Sequence, residues 1–162
     1  MTVLETLEQY SLFDVAVLHH GFAPYLRDYE LLVETDWTEG AAGRYQYLFT
    51  HCVNADYETR VREDVWPESW DDVLTDYERY LQAGEPSGFV WGVNWALAYP
   101  GWEYHADSPR AKSWSERLGH LMHEVSLETN AYLLRLIFHD VRVQKVNDDT
   151  DLIRRVFIPF GE

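Results

Sequence analysis

Large and small side chains alternate along residues 89–99 (FVWGVNWALAY). Every odd position is large, and every even position after Val90 is small. Because successive side chains of a strand point to opposite faces, this period of two predicts a strand. One face would be bulky and need a core or a ligand to cover it. The other would be bare and let another backbone approach closely.

Alternation also recurs in other stretches, which predict strands bounded by turn residues. They cover residues 12–19, 28–36, 44–54, 121–129, 132–146 and 152–158. In the first of them, one face would carry Phe13, Val15, Val17 and His19. The turn-rich TEGAAG segment predicts a hairpin between the second and the third. In the fifth, the apolar phase slips at His139 and Asp140, which predicts a bend or bulge.

Helical spacing and capping residues predict three short helices, over residues 2–10, 69–82 and 109–118. Thr2 and Glu5 have the spacing of a capping box. Ser108 and Pro109 suit an N-cap and a first helical position, and Gly119 suits a helix end. A chain of 162 residues suits one domain. We therefore predict a single α+β domain, mainly antiparallel sheet arranged as a sandwich or partly open barrel, with one or two inserted helices.

The charge narrows the range of partners. The chain has 28 acidic and 13 basic residues, a formal net charge of −15. Nucleic acid and anionic membrane surfaces are poor partners, because both require clustered Lys and Arg. A basic protein is a compatible partner. Cys52 is the only cysteine, no signal-peptide pattern begins the chain and no apolar run approaches about 18 residues, so we expect a cytoplasmic protein.

The acidic stretch from Asp56 to Glu78 carries the candidate contacts for such a partner. It holds nine carboxylates against two arginines. Charge complementarity raises association rates and selects partners, and an aromatic side chain can anchor an interface. The candidate contacts are Asp64, Trp66, Glu68, Asp71, Asp72 and Asp76.

An enzymatic alternative rests on histidines near predicted strand ends. Phosphate-binding glycine loops, the GxSxG elbow, HExxH and CxxC are all missing from the sequence, and no cofactor is predicted. If the strand ends converge, however, a metal or acid–base site would form. Its residues would be His19, His20, His51, His139 and Asp140.

A third alternative is a carbohydrate-binding module. Trp102 and Tyr104 lie in a segment rich in proline and glycine (PGWEYHADSP), which predicts an exposed loop. Aromatic rings exposed in this way could stack on sugar rings.

Several stretches together resemble the YxiG-like family of small bacterial proteins: SLFDVAVLHHGFAP, GRYQYLFTHCV, VWPESWDDV, VWGVNWALAYPG and LRLIFHDVRVQKV. The resemblance covers roughly residues 11–148 and rests on aromatic and strand patterns rather than on a catalytic signature. It implies a bacterial cytoplasmic protein and carries over no functional residues. Small acidic β-rich proteins of this kind are sometimes immunity partners of secreted toxins. The leading interpretation is therefore a non-enzymatic, immunity-like module that binds a basic protein.

Overall fold

The computed structural model describes residues 1–35, 42–59, 77–84, 96–129 and 131–147 of the chain. These ranges contain three helices and eight strands. The helices are α1 (Val3–Gln9), α2 (Tyr77–Gln82) and α3 (Pro109–Leu118). The strands are β1 (Val15–Phe22), β2 (Tyr29–Thr35), β3 (Gly43–Thr50), β4 (Asn54–Thr59), β5 (Ala96–Tyr104), β6 (His123–Thr129), β7 (Tyr132–Phe138) and β8 (Asp140–Val146).

All eight strands join one antiparallel sheet, in the spatial order β4-β7-β6-β5-β1-β2-β3-β8. Strands β4 and β8 end this order, so the sheet formed by the described residues is not closed. The predicted hairpin is confirmed, since β2 pairs with β3 from Tyr29 to Thr35. The antiparallel sheet with its added helices confirms the predicted α+β class.

Two segments of chain that pair with each other, β3–β4 and β7–β8, bend at the same place. β3 ends at Thr50 and β4 begins at Asn54, and opposite them only His139 separates β7 from β8. Because β3 pairs with β8 and β4 pairs with β7, the same two lengths of chain stay paired on both sides of the bend. We call residues 51–53 and 139 the histidine corner. Its position confirms the bend predicted at His139 and Asp140.

A second bend lies in β5. The first part of this strand pairs with β1 and the last part with β6, and the register shifts between Ala98 and Gly101. Gly101 has φ +115, and a Cβ built on it would lie 2.9 Å from the carbonyl oxygen of Leu12. Only glycine tolerates both the backbone conformation and the close approach. We call residues 99–101 the glycine bend.

The sheet packs its apolar side chains into one main core. Its largest fully buried side chains are Tyr47, Phe49, Phe138, Leu12, Leu31, Leu127, Leu134 and Leu136. The Tyr47 hydroxyl donates a hydrogen bond of 2.7 Å to the carbonyl of Tyr10, so the ring is buried with its polar group satisfied. Burial of these large side chains supplies the main stabilisation of the sheet.

Strand β1 carries a bulge that changes which histidine faces the core. Its register with β2 shifts between Val17 and His19. Because side chains alternate with a period of two, one extra residue exchanges the faces of those that follow. His20 consequently packs against the buried Tyr132 ring, 4.8 Å between centroids. The prediction that His19 shares the face of Val17 is wrong for this reason.

Local capping explains the limits of α1 and α3. The Glu5 amide donates to the Thr2 hydroxyl, and the Thr2 amide donates to the Glu5 carboxylate, which completes the capping box. The Ser108 hydroxyl accepts a hydrogen bond from the amide of Ala111 at the start of α3. Gly119 ends α3 in the left-handed conformation. Both helices confirm the predictions from sequence.

Parts of the predicted elements lie outside the described residues. Of the helix predicted over residues 69–82, the structure describes only α2. Residues 89–95 of the alternating aromatic stretch and the strand predicted over 152–158 also lie outside. Among the helices of the described ranges, none has both the length and the hydropathy needed to cross a membrane.

Candidate functional site

The predicted partner contacts of the acidic stretch lie outside the described residues. They are Asp64, Trp66, Glu68, Asp71, Asp72 and Asp76. Their role stays a prediction from sequence.

The structure separates the predicted histidines into two groups. His20 lies among tyrosine rings, and its Nδ1 is 2.6 Å from the hydroxyl of Tyr29. Burial and, to a smaller extent, the neighbouring His19 lower the pKa of His20 to about 4. His20 is therefore neutral near pH 7 and belongs to the packed interior.

His51 and His139 do come together, at the histidine corner. Their ring centroids are 6.0 Å apart, and His120 joins them with its centroid 5.6 Å from that of His139. These three rings line a cavity of about 320 Å³ with Leu118 and Met122. We call it the corner cavity. His51 and His120 are exposed, whereas His139 is half-buried.

Asp28 holds His51 in place. His51 has φ +48, a left-handed conformation that is uncommon for a residue with a side chain. The buried Asp28 carboxylate accepts hydrogen bonds from the His51 amide (2.9 Å), the Tyr25 hydroxyl (2.9 Å) and Arg27 Nε (3.0 Å). Burial alone would raise the pKa of Asp28, but these hydrogen bonds outweigh it and hold the pKa at about 2. The β1–β2 turn is thus fastened to the corner by a charged group.

His139 is oriented from both its backbone and its ring. Its amide donates to the carbonyl of Thr50 at 2.9 Å. Its Nδ1 lies 2.8 Å from the carbonyl oxygen of Leu121, which can only accept a hydrogen bond. Nδ1 therefore carries the proton of the neutral ring, and Nε2 presents a lone pair.

A second, larger cavity adjoins the first. It has about 510 Å³ and shares Met122 with the corner cavity. Its wall includes Tyr104, whose hydroxyl is 2.8 Å from Nδ1 of His123. Burial lowers the pKa of His123, the electrostatic interaction with His139 also lowers it, and Asp140 acts in the opposite direction. We call it the tyrosine cavity.

Five of the seven histidines line these two adjoining cavities: His51, His120 and His139 in one, His105 and His123 in the other. Only two of the five, His51 and His139, belong to the set of histidines predicted from the sequence. The other three follow β5 or α3 in the chain. Their place beside the cavities depends on how α3 packs on β6 and β7, which strand-end positions in the sequence do not reveal. Asp140 adjoins the group in β8, while His19 and His20 lie in β1.

Trp102 and Tyr104 lie in β5, so the prediction that they occupy a loop is wrong. The glycine bend lets the strand resume its pairing with β6 after Pro100. The Trp102 ring packs against the interior rings of Tyr47 and Phe49, at centroid distances of 6.0 and 5.3 Å. Tyr104 instead borders the tyrosine cavity, and sugar binding there stays a prediction.

The ligand chemistry of the site is imidazole rather than thiolate. Cys52 is buried, and burial raises the pKa of its thiol to about 12, so it is no nucleophile at neutral pH. Across the described part of the chain, no group of three or more His, Cys, Asp or Glu side chains is placed, as it stands, to hold a metal ion.

Comparison with known proteins gives one family. A family model described as YxiG-like protein matches residues 2–158. No curated protein matches the chain. Among solved structures, the crystal structure of an uncharacterized protein from Neisseria gonorrhoeae is similar, with 12% sequence identity and a TM-score of 0.37. The match covers 83% of this chain and 93% of that chain.

Proposed function

The chain belongs to the YxiG-like family, a membership that by itself assigns no activity, and we propose that it is a non-enzymatic interaction module that binds a basic protein. The observation that carries the proposal is the net charge of −15. An acidic surface attracts a basic partner over several ångströms and raises the rate of encounter. An immunity-like role, in which the partner is a basic secreted toxin, is the form of the proposal that suits a small acidic bacterial protein.

The β1–β2 turn supplies apolar groups that suit the edge of such an interface. Leu26 is 76% exposed and Tyr25 is 57% exposed. Both precede Asp28, whose carboxylate accepts hydrogen bonds from the His51 amide and Arg27 Nε and so holds the turn against the sheet. An exposed aromatic side chain on a rigid turn loses little conformational entropy on binding, which favours its use as an anchor.

A salt-dependent capture experiment tests the proposal. The tagged full chain is the bait for lysate and secreted protein of the source organism, at low and at high salt. We expect one basic protein, identified by mass spectrometry and retained near one to one at low salt, to be lost at high salt. Its affinity is then measured with purified partner by calorimetry.

Two triple variants separate a specific acidic surface from general charge. The test variant neutralises three predicted contacts: Asp64→Asn, Asp71→Asn and Asp72→Asn. The control removes the same charge outside the acidic stretch, at exposed positions: Glu8→Gln, Asp107→Asn and Glu116→Gln. We expect the test variant to bind more weakly, with a flatter salt dependence, and the control to change less. Equal affinity of both variants and the unaltered chain would refute the assignment of the acidic stretch, and an empty bait would refute the module itself.

The histidine-lined cavities favour a second candidate, a metal-dependent or acid–base enzyme. The tyrosine cavity has a volume in the range of small-molecule sites, and its Tyr104–His123 pair could exchange a proton with a ligand. Screening a metabolite panel by chemical-shift changes tests this idea. We expect hits that are lost in His123→Ala and kept in His19→Gln. A panel without hits, or hits insensitive to His123→Ala, would contradict it.

A further inference from the structure

The corner cavity has the side-chain chemistry of a transition-metal site, and we propose that His51, His120 and His139 bind one divalent transition-metal ion such as Zn²⁺. Imidazole is a ligand that Zn²⁺, Ni²⁺ and Cu²⁺ share. Three histidines on one ion leave a coordination position for water or a ligand. This inference is independent of binding to a basic partner.

His139 is already arranged as a ligand. Histidines that bind metals commonly donate their second ring N–H to a carboxylate or a backbone carbonyl, which sets the tautomer and the ring orientation. The contact of 2.8 Å between His139 Nδ1 and the Leu121 carbonyl is of this kind. It leaves Nε2 as the coordinating atom, and the hydrogen bond from the His139 amide to Thr50 fixes the backbone beneath it.

The rings of His51 and His120 lie slightly too far from His139 for all three to bind one ion without movement. Their centroids are 5.6 Å (His120) and 6.0 Å (His51) from that of His139. Zn–N bonds of about 2.0–2.1 Å in tetrahedral geometry bring imidazole centroids to about 5 Å. This gap agrees with the lack of three converged donors among the described residues. Because His51 and His120 are exposed, both can change rotamer without repacking the core, and the ion would draw them toward His139.

The rest of the cavity wall selects against hard cations. Besides the three histidines it consists of Leu118 and Met122. Ca²⁺ and Mg²⁺ prefer carboxylate and carbonyl oxygens. We therefore expect Zn²⁺ to bind and Mg²⁺ not to bind. His19, His20 and Asp140 are not part of the proposed ligand set.

Calorimetric titration of the untagged full chain with Zn²⁺, after treatment with a chelator, tests the site. We expect one ion per chain and no binding of Mg²⁺. His139→Ala should abolish the binding. His120→Ala and His51→Gly should each weaken it at least about tenfold, because even loss of an outer-shell partner weakens metal affinity by about 10–100-fold. Glycine is used at position 51 because it accepts the left-handed backbone. His19→Gln is the matched control and should bind as the unaltered chain does.

Circular dichroism checks the fold of each variant. If His139→Ala does not fold, the exposed His120 decides the question. Chemical shifts of the histidine rings give a second readout, and Zn²⁺ should move those of His51, His120 and His139 together. Absence of Zn²⁺ binding, or Zn²⁺ binding that His120→Ala leaves unchanged, would overturn the proposal. A chain that binds its partner but no Zn²⁺ would refute this inference alone.

Discussion

The sheet bends at both the histidine corner and the glycine bend, but different interactions stabilise the two bends. At the glycine bend, β5 passes from pairing with β1 to pairing with β6. At the histidine corner, the two segments of chain that bend stay paired with each other on both sides. At the glycine bend, backbone packs directly on backbone, with the carbonyl of Leu12 against Gly101. At the histidine corner, a buried carboxylate, Asp28, holds the turning chain by hydrogen bonds.

The difference decides how much room each bend leaves for a ligand. At the glycine bend, the backbones of Leu12 and Gly101 are in contact and Trp102 packs inward against Phe49. The cavity beside this bend, of about 190 Å³, is smaller than the corner cavity. At the histidine corner, the Asp28 carboxylate accepts a hydrogen bond from the backbone amide of His51. The side chains of His51 and His139 therefore remain beside the corner cavity. Hydrogen bonds to one buried group can thus stabilise a bend while its outward side chains stay available to a ligand.

Closing the space at the glycine bend should have the largest effect. Gly101→Ala places a Cβ against the Leu12 carbonyl at a φ that L residues rarely adopt. We expect a loss of about 3 kcal/mol in the free energy of unfolding, measured by urea denaturation. Gly119→Ala is the control, because its φ is also positive but no atom lies within 4 Å of the added Cβ. That variant should lose about 1 kcal/mol. Equal losses would show that the contact with Leu12 is unimportant.

Removing the charge at the corner should have the next effect. Asp28→Asn weakens the hydrogen bonds from the His51 amide and Arg27, and we expect a loss of about 2 kcal/mol at pH 7. In the unaltered chain the pKa of Asp28 is about 2, below its ordinary value of 3.8. The carboxylate therefore stabilises the fold above about pH 4, and this stabilisation is lost as the pH falls from about 4 through about 2.

The difference between the two unfolding curves against pH isolates this residue from other carboxylates. It should be largest above about pH 4 and shrink toward pH 2. Tyr25→Phe removes a single hydrogen bond to Asp28 and should cost only about 1 kcal/mol. A difference that stays constant between pH 5 and 2 would mean that Asp28 is not the titrating group.

Replacing the outward side chain of the corner should have the smallest effect. His51→Gly removes the imidazole and suits φ +48, so we expect a change within about 0.5 kcal/mol. His51→Val keeps a side chain of similar apolar bulk at an unsuitable φ and should lose about 2 kcal/mol. Chemical denaturation of both variants measures the pair. A large loss in His51→Gly would show that the ring stabilises the corner and is not held there for ligands.

Local patterns along the chain determined the elements that depend on neighbouring residues. The capping pair Thr2–Glu5, the limits of α3 and the phase slip at His139 all act within a few residues, and the structure confirms each of them. Alternation likewise predicted the antiparallel class, since side chains of a strand change face at every residue.

Tertiary structure alone decided what depends on partners distant in sequence. Because of the bulge in β1, His20 rather than His19 faces the core, and this bulge is set by the pairing of β1 with β2. Residues 101–104 form strand instead of the predicted loop because they pair with β6, and glycine at position 101 permits the close approach of Leu12. His120 reached His139 through the packing of α3, which no spacing in the sequence encodes. The residue types of the candidate site were thus readable from sequence, whereas their meeting was set by long-range pairing and packing.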